Sequence, residues 1–356
     1  MTAIAYCNPF VPPEWIAAHG LRPQWLRPRA ARGGSAAALR GVCPFAAAIV
    51  ESPGVDGPDA PAAVVLTTTC DQMRYAAALQ SERAAPPVFL LNVPKTRRTE
   101  AVRLYLDELR RLGRFLESLD GAPPATDVLC ETMIRYDRAR RGLLRRRGAM
   151  SAREFQAAVA EIRGCVIEPP LRRKQKVVLG ATDGLSGSAE STVGQANRGT
   201  RRNTPLALVG GPLLLDDDER LDRIERAGGR IVLDATESGE RTLPAPLDES
   251  RLRADALAEL VRIYFDSIPD VFRRPNDDLF EWLSSESAGR GARGIVVRRH
   301  LWCDLWHAAL PRLAERCALP LLEWEQEGEG STAAFATRIE AFLEMLGEAS
   351  EVQTTQ

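Results

Sequence analysis

Aromatic residues make up only 6% of this 356-residue chain, histidine occurs three times, and the formal net charge is −1. Few aromatics beside 45% hydrophobic content argue against an all-β sandwich and suit Ala- and Leu-rich helices laid over parallel strands. A balance so near neutral argues against nucleic acid as the principal partner, because a phosphate-backbone binder carries a basic excess. The basic runs Arg138 to Arg147 and Arg172 to Lys176 are local, and read as solvated helix faces or linkers. No apolar run approaches the ~20 residues that span a bilayer, and no basic segment followed by a long apolar stretch opens the chain. The expectation is a soluble, cytoplasmic protein with no membrane partner. Seven cysteines are scattered without CxxC spacing, so in a reducing compartment they are free thiols, core residues or metal ligands. His19, His300 and His307 show no HExxH or similar spacing.

Against these absences one stretch stands out. Ala62 to Leu66 is short, apolar and partly β-branched, and it gives way to Thr67-Thr68-Thr69-Cys70-Asp71. This pattern predicts a buried strand feeding a βα turn, the place where open α/β sheets put their chemistry. It recurs near the other end, where Gly294-Ile295-Val296-Val297 is followed by Leu301-Trp302-Cys303-Asp304. Cys43 precedes Pro44, a residue suited to the first position of a helix. A cysteine there feels oriented amides that favour thiolate; a small buried hydrophobe is the alternative reading.

Length and the order of strand and helix signals predict an α/β chain of two Rossmann- or flavodoxin-like parallel-sheet domains with an intervening helical block. The N-terminal α/β domain spans 1–175 and includes the helical block at about 98–165. A flexible Gly- and Ser-rich junction covers 176–204, and the C-terminal α/β domain 205–356. Within the block, Leu104, Leu106, Leu109, Leu112, Leu116 and Leu119 recur near the helical period, and Ser151 with Glu154 forms a capping box. A phosphate-cradling loop at Gly180 to Gly187 is the sharper reading of the junction, but it lacks the Gly-Lys-Ser/Thr ending and the GxGxxG register. Cys7, Cys130, Cys165 and Cys317 read as packing residues. Spacing alone leaves Cys43, Cys70 and Cys303 as either a three-thiolate site or three more core thiols.

A resemblance bears on that choice. The ordered set Tyr6-Cys7-Asn8-Pro9-Phe10-Val11-Pro12-Pro13-Glu14-Trp15-Ile16-Ala17-Ala18-His19-Gly20, Cys43, Thr69-Cys70-Asp71-Gln72-Met73-Arg74, Asn92-Val93-Pro94, Trp302-Cys303-Asp304 and Thr337-Arg338-Ile339-Glu340-Ala341-Phe342-Leu343-Glu344 resembles the 2-hydroxyacyl-CoA dehydratase / benzoyl-CoA reductase family over nearly the whole chain. The resemblance implies a 4Fe-4S cluster held by Cys43, Cys70 and Cys303, with one iron left free of protein thiolate. It implies an acyl-CoA substrate, a paralogous subunit or a homodimer, and a separate ATP-dependent iron-sulfur activator protein that delivers one low-potential electron. The implied reaction is loss of water from a 2-hydroxyacyl-CoA through a ketyl radical. ATP-coupled thioester reduction of the benzoyl-CoA type, or a non-catalytic cluster or partner subunit, is the alternative. A double-cubane reductase would need about six cysteine ligands per subunit, and the remaining cysteines do not stand where the extra ones are expected. Glu14 matches a family carboxylate and is a candidate for proton transfer; a helix-start acid is its other reading. Arg338 is expected to brace the terminal helix.

Overall fold

The computed structural model describes residues 1–30, 41–52, 60–82, 86–164, 203–325 and 331–354. Cys165, the run Arg172 to Lys176 and nearly all of the Gly- and Ser-rich junction lie outside them. In chain order the first half comprises β1 (Ala3–Tyr6), α1 (Pro13–Ala18), β2 (Arg22–Trp25), α2 (Pro44–Glu51), β3 (Ala63–Thr67), α3 (Asp71–Ser81) and β4 (Val88–Leu91). Three long helices follow, α4 (Thr99–Glu117), α5 (Thr126–Arg146) and α6 (Ala152–Gly164). The second half runs β5 (Thr204–Gly210), α7 (Asp217–Arg226), β6 (Gly229–Thr236), α8 (Glu249–Ala254), α9 (Ala256–Val261), α10 (Asp277–Gly289), β7 (Gly294–Arg299), α11 (Asp304–Cys317), β8 (Leu321–Glu325) and α12 (Ser331–Thr354).

The strands form two four-stranded sheets, β2-β1-β3-β4 and β6-β5-β7-β8, parallel throughout. The two orders are the same: the second strand lies outside the first, and the third and fourth continue on its other side. Chain direction across each sheet therefore reverses between its first and third strands, at β1/β3 and at β5/β7. In doubly wound sheets the crevice beyond the carboxyl ends of such a pair takes the ligand. Central strands read as apolar runs because helices cover both faces; β3 and nearly all of β7 are buried from end to end.

Several elements depart from the expected pattern for local reasons. Residues Pro23 to Pro28 read as a turn or extended segment, and Arg22–Trp25 pairs with β1; Pro23 is tolerated because β2 is an edge strand. On α4 the buried stripe is Ala101, Tyr105, Leu109, Leu112 and Leu116, and Leu104 is exposed. Tyr105 takes the core position because its ring stacks on Phe265, 4.8 Å between centroids, while its hydroxyl donates to the Phe10 carbonyl at 2.6 Å. The capping box forms as expected: the Ser151 amide donates to Glu154 Oε2 at 2.8 Å, and the Glu154 amide to Ser151 Oγ at 3.2 Å.

One hydrophobic core joins elements of both halves. Leu252, Leu260, Ile263, Phe265 and Ile268 pack with Ile4, Val65, Leu109 and Leu116 of the first sheet and its helices. Arg27 adds a polar tie, pairing with Asp218 and donating to the Leu214 carbonyl at 3.3 Å.

The end of β5 admits no side chain. Gly210 has φ of +150°, and a Cβ built there would stand 2.0 Å from the Arg298 carbonyl oxygen of β7. That obstacle is backbone and cannot rotate away. Gly210→Ala is expected to cost about 2–5 kcal/mol, from the strained φ together with forced separation of two central strands. Urea denaturation beside wild type measures it; an unchanged midpoint would show that the sheet end yields.

Candidate functional site

The carboxyl ends of both sheets open onto one cavity of about 160 Å³. Its wall includes Cys7 and Asn8 after β1, Thr69 and Cys70 after β3, and Lys95 beyond β4. From the second sheet come Gly211 and Pro212 after β5, Glu237 after β6, and His300, Trp302 and Cys303 after β7. Both strand-order switch points thus face the same space, and Cys43 completes it from the start of α2.

Each of three cysteines holds the same local position. Cys43, Cys70 and Cys303 are the N-cap residues of α2, α3 and α11. The cause is legible locally: Pro44 suits the first helical position, and Asp71 and Asp304 place a carboxylate in the first turn, where the macrodipole favours it. Three helix amino termini are therefore aimed at one cavity, and fixed partial positive charge surrounds any anion bound there. The Cys43 amide donates to Gln72 Oε1 at 2.9 Å, which pins the start of α2 to that of α3.

Burial pushes all three thiols up, Cys70 to about 12 and Cys303 to about 11, with Cys43 moved in the same direction. Nearby amides oppose the shift: those of Met73 for Cys70, Trp306 for Cys303, and Ala46 and Phe45 for Cys43. Cys43 raises both Cys70 and Cys303, Cys303 raises Cys70 as well, and Glu237 adds to the rise at all three. They lie within electrostatic reach, in a setting that rewards a shared cation.

Glu237 itself is buried enough that its pKa rises well above 4.5, with Asp270 adding to the rise and Arg241 and Arg163 opposing it. Its Oε1 accepts from Asn8 Nδ2 at 3.0 Å, and the same nitrogen donates to Thr69 Oγ1 at 3.3 Å, joining the ends of β1, β3 and β6. In cluster-free protein this sets a sign. Above pH 4.5 the unfolded chain loses the Glu237 proton while the fold keeps it, so stability falls as pH rises toward the raised value. Glu237→Gln is expected to flatten that slope between pH 5 and 8, read by thermal melts; an identical pH profile would contradict it.

His300 is a buried part of the pocket wall. Arg298 Nη2, which can only donate, contacts its Nδ1 at 3.2 Å, so Nε2 carries the proton and donates to the Pro212 carbonyl at 2.7 Å. Burial first, then the Arg298 charge, hold its pKa well below the usual range. It acts as a neutral brace between β5 and β7.

Residues 8–346 match the family described as 2-hydroxyglutaryl-CoA dehydratase, D-component. The chain belongs to this family. No curated protein matches in a sequence comparison. As a dehydratase-type component the chain has a family whose members are associated with iron-sulfur clusters, an acyl-CoA substrate and a partner component.

The residues present fit such a cluster by their chemistry. Cys43, Cys70 and Cys303 are free thiols lining one cavity, and a cluster takes thiolates while tolerating a dry, amide-rich surround. Among the described residues no three of His, Cys, Asp or Glu converge on one point as a mononuclear site would require. Cys43, Cys70 and Cys303 would each ligate a different iron of a cluster, which would not require them to meet at one point.

Other residues singled out from sequence fall elsewhere. Glu14 is not in the pocket wall: it is fully buried, paired with Arg140, and accepts from the Tyr264 hydroxyl at 2.6 Å. Arg338 Nη2 donates to the Glu323 carbonyl at 2.8 Å, tying α12 to β8 as a brace. Cys130 donates to the Leu252 carbonyl at 3.7 Å, and Cys317 ends α11, both away from the cavity. Cys7, by contrast, is in the pocket wall although it reads as packing, and Glu237 lines the pocket although it belongs to no motif of the sequence. The signal that finds both is position: each follows the carboxyl end of a strand. Among the described residues, no helix is long and apolar enough to cross a membrane.

Proposed function

We propose that Cys43, Cys70 and Cys303 hold a 4Fe-4S cluster and that this chain is the cluster-bearing component of a 2-hydroxyacyl-CoA dehydratase, removing water from its substrate by a radical route. The observation that carries the reading is the shared N-cap position of the three cysteines around one cavity. A bound cluster supplies one-electron chemistry and a Lewis-acidic iron without a protein thiolate. The chain's own residues do the rest. Helix amino termini stabilise negative charge in the cavity. Phe45, Met73, Phe272 and Trp306 exclude water from it. Glu237, fixed by Asn8, is the group placed to hold or pass a proton at its Oε2. A one-electron step of this kind calls for a reductant, here an ATP-dependent iron-sulfur activator, and a paralogous subunit or a second copy as partner.

The test is anaerobic assay with a family activator, ATP, a low-potential reductant and a panel of 2-hydroxyacyl thioesters. Formation of the 2-enoyl thioester without net reduction supports the reading. Products carrying two added electrons would make the chain a reductase component instead.

A further inference from the structure

We infer that the acyl group this pocket accepts is uncharged and apolar, so that thioesters with aliphatic or aromatic chains fit and dicarboxylic ones such as the glutaryl series do not. The inference deepens the thioester reading above and rests on it. It also parts from the wording of the family description, which names a substrate with a second carboxylate.

Charge is the first argument. Of the described residues lining the cavity, Asp71, Glu237, Asp270 and Asp304 are carboxylic acids, and Lys95 is the single lysine or arginine among them. Asp270 is already satisfied by the fully buried Arg241, which donates to it at 2.7 Å while also bonding the Ala235 and Pro269 carbonyls. Arg241 therefore has no freedom to turn toward a ligand. Lys95 is exposed at the mouth, where a flexible ammonium stays hydrated. His300 is neutral, and both of its ring nitrogens are engaged. A carboxylate carried into this space would find no cation fork among the described residues, and the amides at the three helix starts are already engaged with the cysteines there, so its burial is costly.

The pocket's treatment of its own acid makes the same point. Glu237 has no ion-pair partner among the described residues and relies on one amide, Asn8 Nδ2, for its Oε1. Its proton is held far more tightly than that of an ordinary carboxyl, chiefly because of burial. A second carboxylate brought beside Glu237 would compete for the same single amide.

Shape and surface agree. Beside the polar Asn8, Thr69 and Gln72, the wall carries Phe45, Met73, Val271, Phe272, Leu305 and Trp306, aromatic and aliphatic side chains that gain from apolar contact. Trp302 lies at the lip with 52% of its surface exposed and holds φ of +65°, a conformation disfavoured for a bulky residue. The backbone there turns the indole to the entrance rather than into the core.

The test is binding rather than turnover. Anaerobically purified protein is titrated calorimetrically with hexanoyl-CoA, 3-phenylpropanoyl-CoA, glutaryl-CoA and free CoA, none of which carries a 2-hydroxyl to eliminate. The first two are expected to bind about a hundredfold more tightly than glutaryl-CoA. Glu237→Lys, which supplies the missing cation, is expected to tighten glutaryl-CoA about tenfold relative to hexanoyl-CoA. Glutaryl-CoA binding as tightly as hexanoyl-CoA to the wild type overturns the inference alone. If no thioester binds better than free CoA, the thioester reading falls and takes the inference with it.

Discussion

Cys70→Ala is expected to give a folded chain that retains no cluster and no dehydratase turnover, with stability within about 1 kcal/mol of the cluster-free parent. Cys70 is only half buried, so little packing is lost. Its thiolate, by contrast, has no substitute: Asp71, the adjacent residue, points to solvent with its side chain 96% exposed. The same loss is expected for Cys43→Ala and Cys303→Ala. Cys7→Ala is the contrast. Cys7 lines the same cavity but is wholly buried against Ala5, Val64 and Leu66, so its removal is expected to cost about 1 kcal/mol of packing and leave iron content unchanged. Iron analysis and thermal melts of the four single variants distinguish ligand from filler. Loss of iron in Cys7→Ala at wild-type stability would move it into the ligand set.

The largest effect on stability is expected at Glu14→Ala, about 3–5 kcal/mol, because it strands a buried guanidinium. Glu14 opens α1, Arg140 lies on α5, and Tyr264 belongs to the turn after α9; their mutual contacts lock these three elements beneath the first sheet. Burial disfavours the charged form of Arg140, yet Glu14, with smaller help from Tyr264 and Asp137, more than offsets it and holds the pKa above its usual value. Among the described residues Arg140 Nε and Nη2 have no hydrogen-bond partner, so the guanidinium depends on its Nη1 contact to Glu14. The double variant Glu14→Ala/Arg140→Met is expected to be less destabilised than Glu14→Ala alone, since it removes the stranded charge. Equilibrium denaturation of the three proteins decides it. A Glu14→Ala protein of full stability but no turnover would instead place Glu14 in the chemistry.

How far the sequence reveals this molecule depends on the range over which each feature is determined. The strands β3, β5, β6, β7 and β8 are local apolar runs bounded by Gly, Pro or Asp, and each forms where its residues predict. The N-cap role of Cys43 follows from Pro44 alone. By contrast, the burial of Tyr105 instead of Leu104 is settled by Phe10 and Phe265, which are remote in sequence. The likeness of the two sheets, with Cys70-Asp71 and Cys303-Asp304 each following the third strand, is foreshadowed by the repeated Cys-Asp pair. That both sheets face one cavity is not, because it depends on side-chain packing of Leu260 and Phe265 against the first sheet. Glu237 and Cys7 escape notice for that reason: neither sits in a local motif, and only the convergence of β1 and β6 ends through Asn8 makes them neighbours of the site.

The central claim is that three cysteines distant in sequence form one cluster site. Its most direct test is iron and acid-labile sulfide content, with an absorption spectrum, of protein purified without oxygen, beside a Cys43→Ala/Cys70→Ala/Cys303→Ala variant. About four irons and four sulfides per chain in the wild type, and none in the variant, are the expected result. A wild type that stays free of iron after anaerobic reconstitution, or a triple variant that still binds it, would contradict the account.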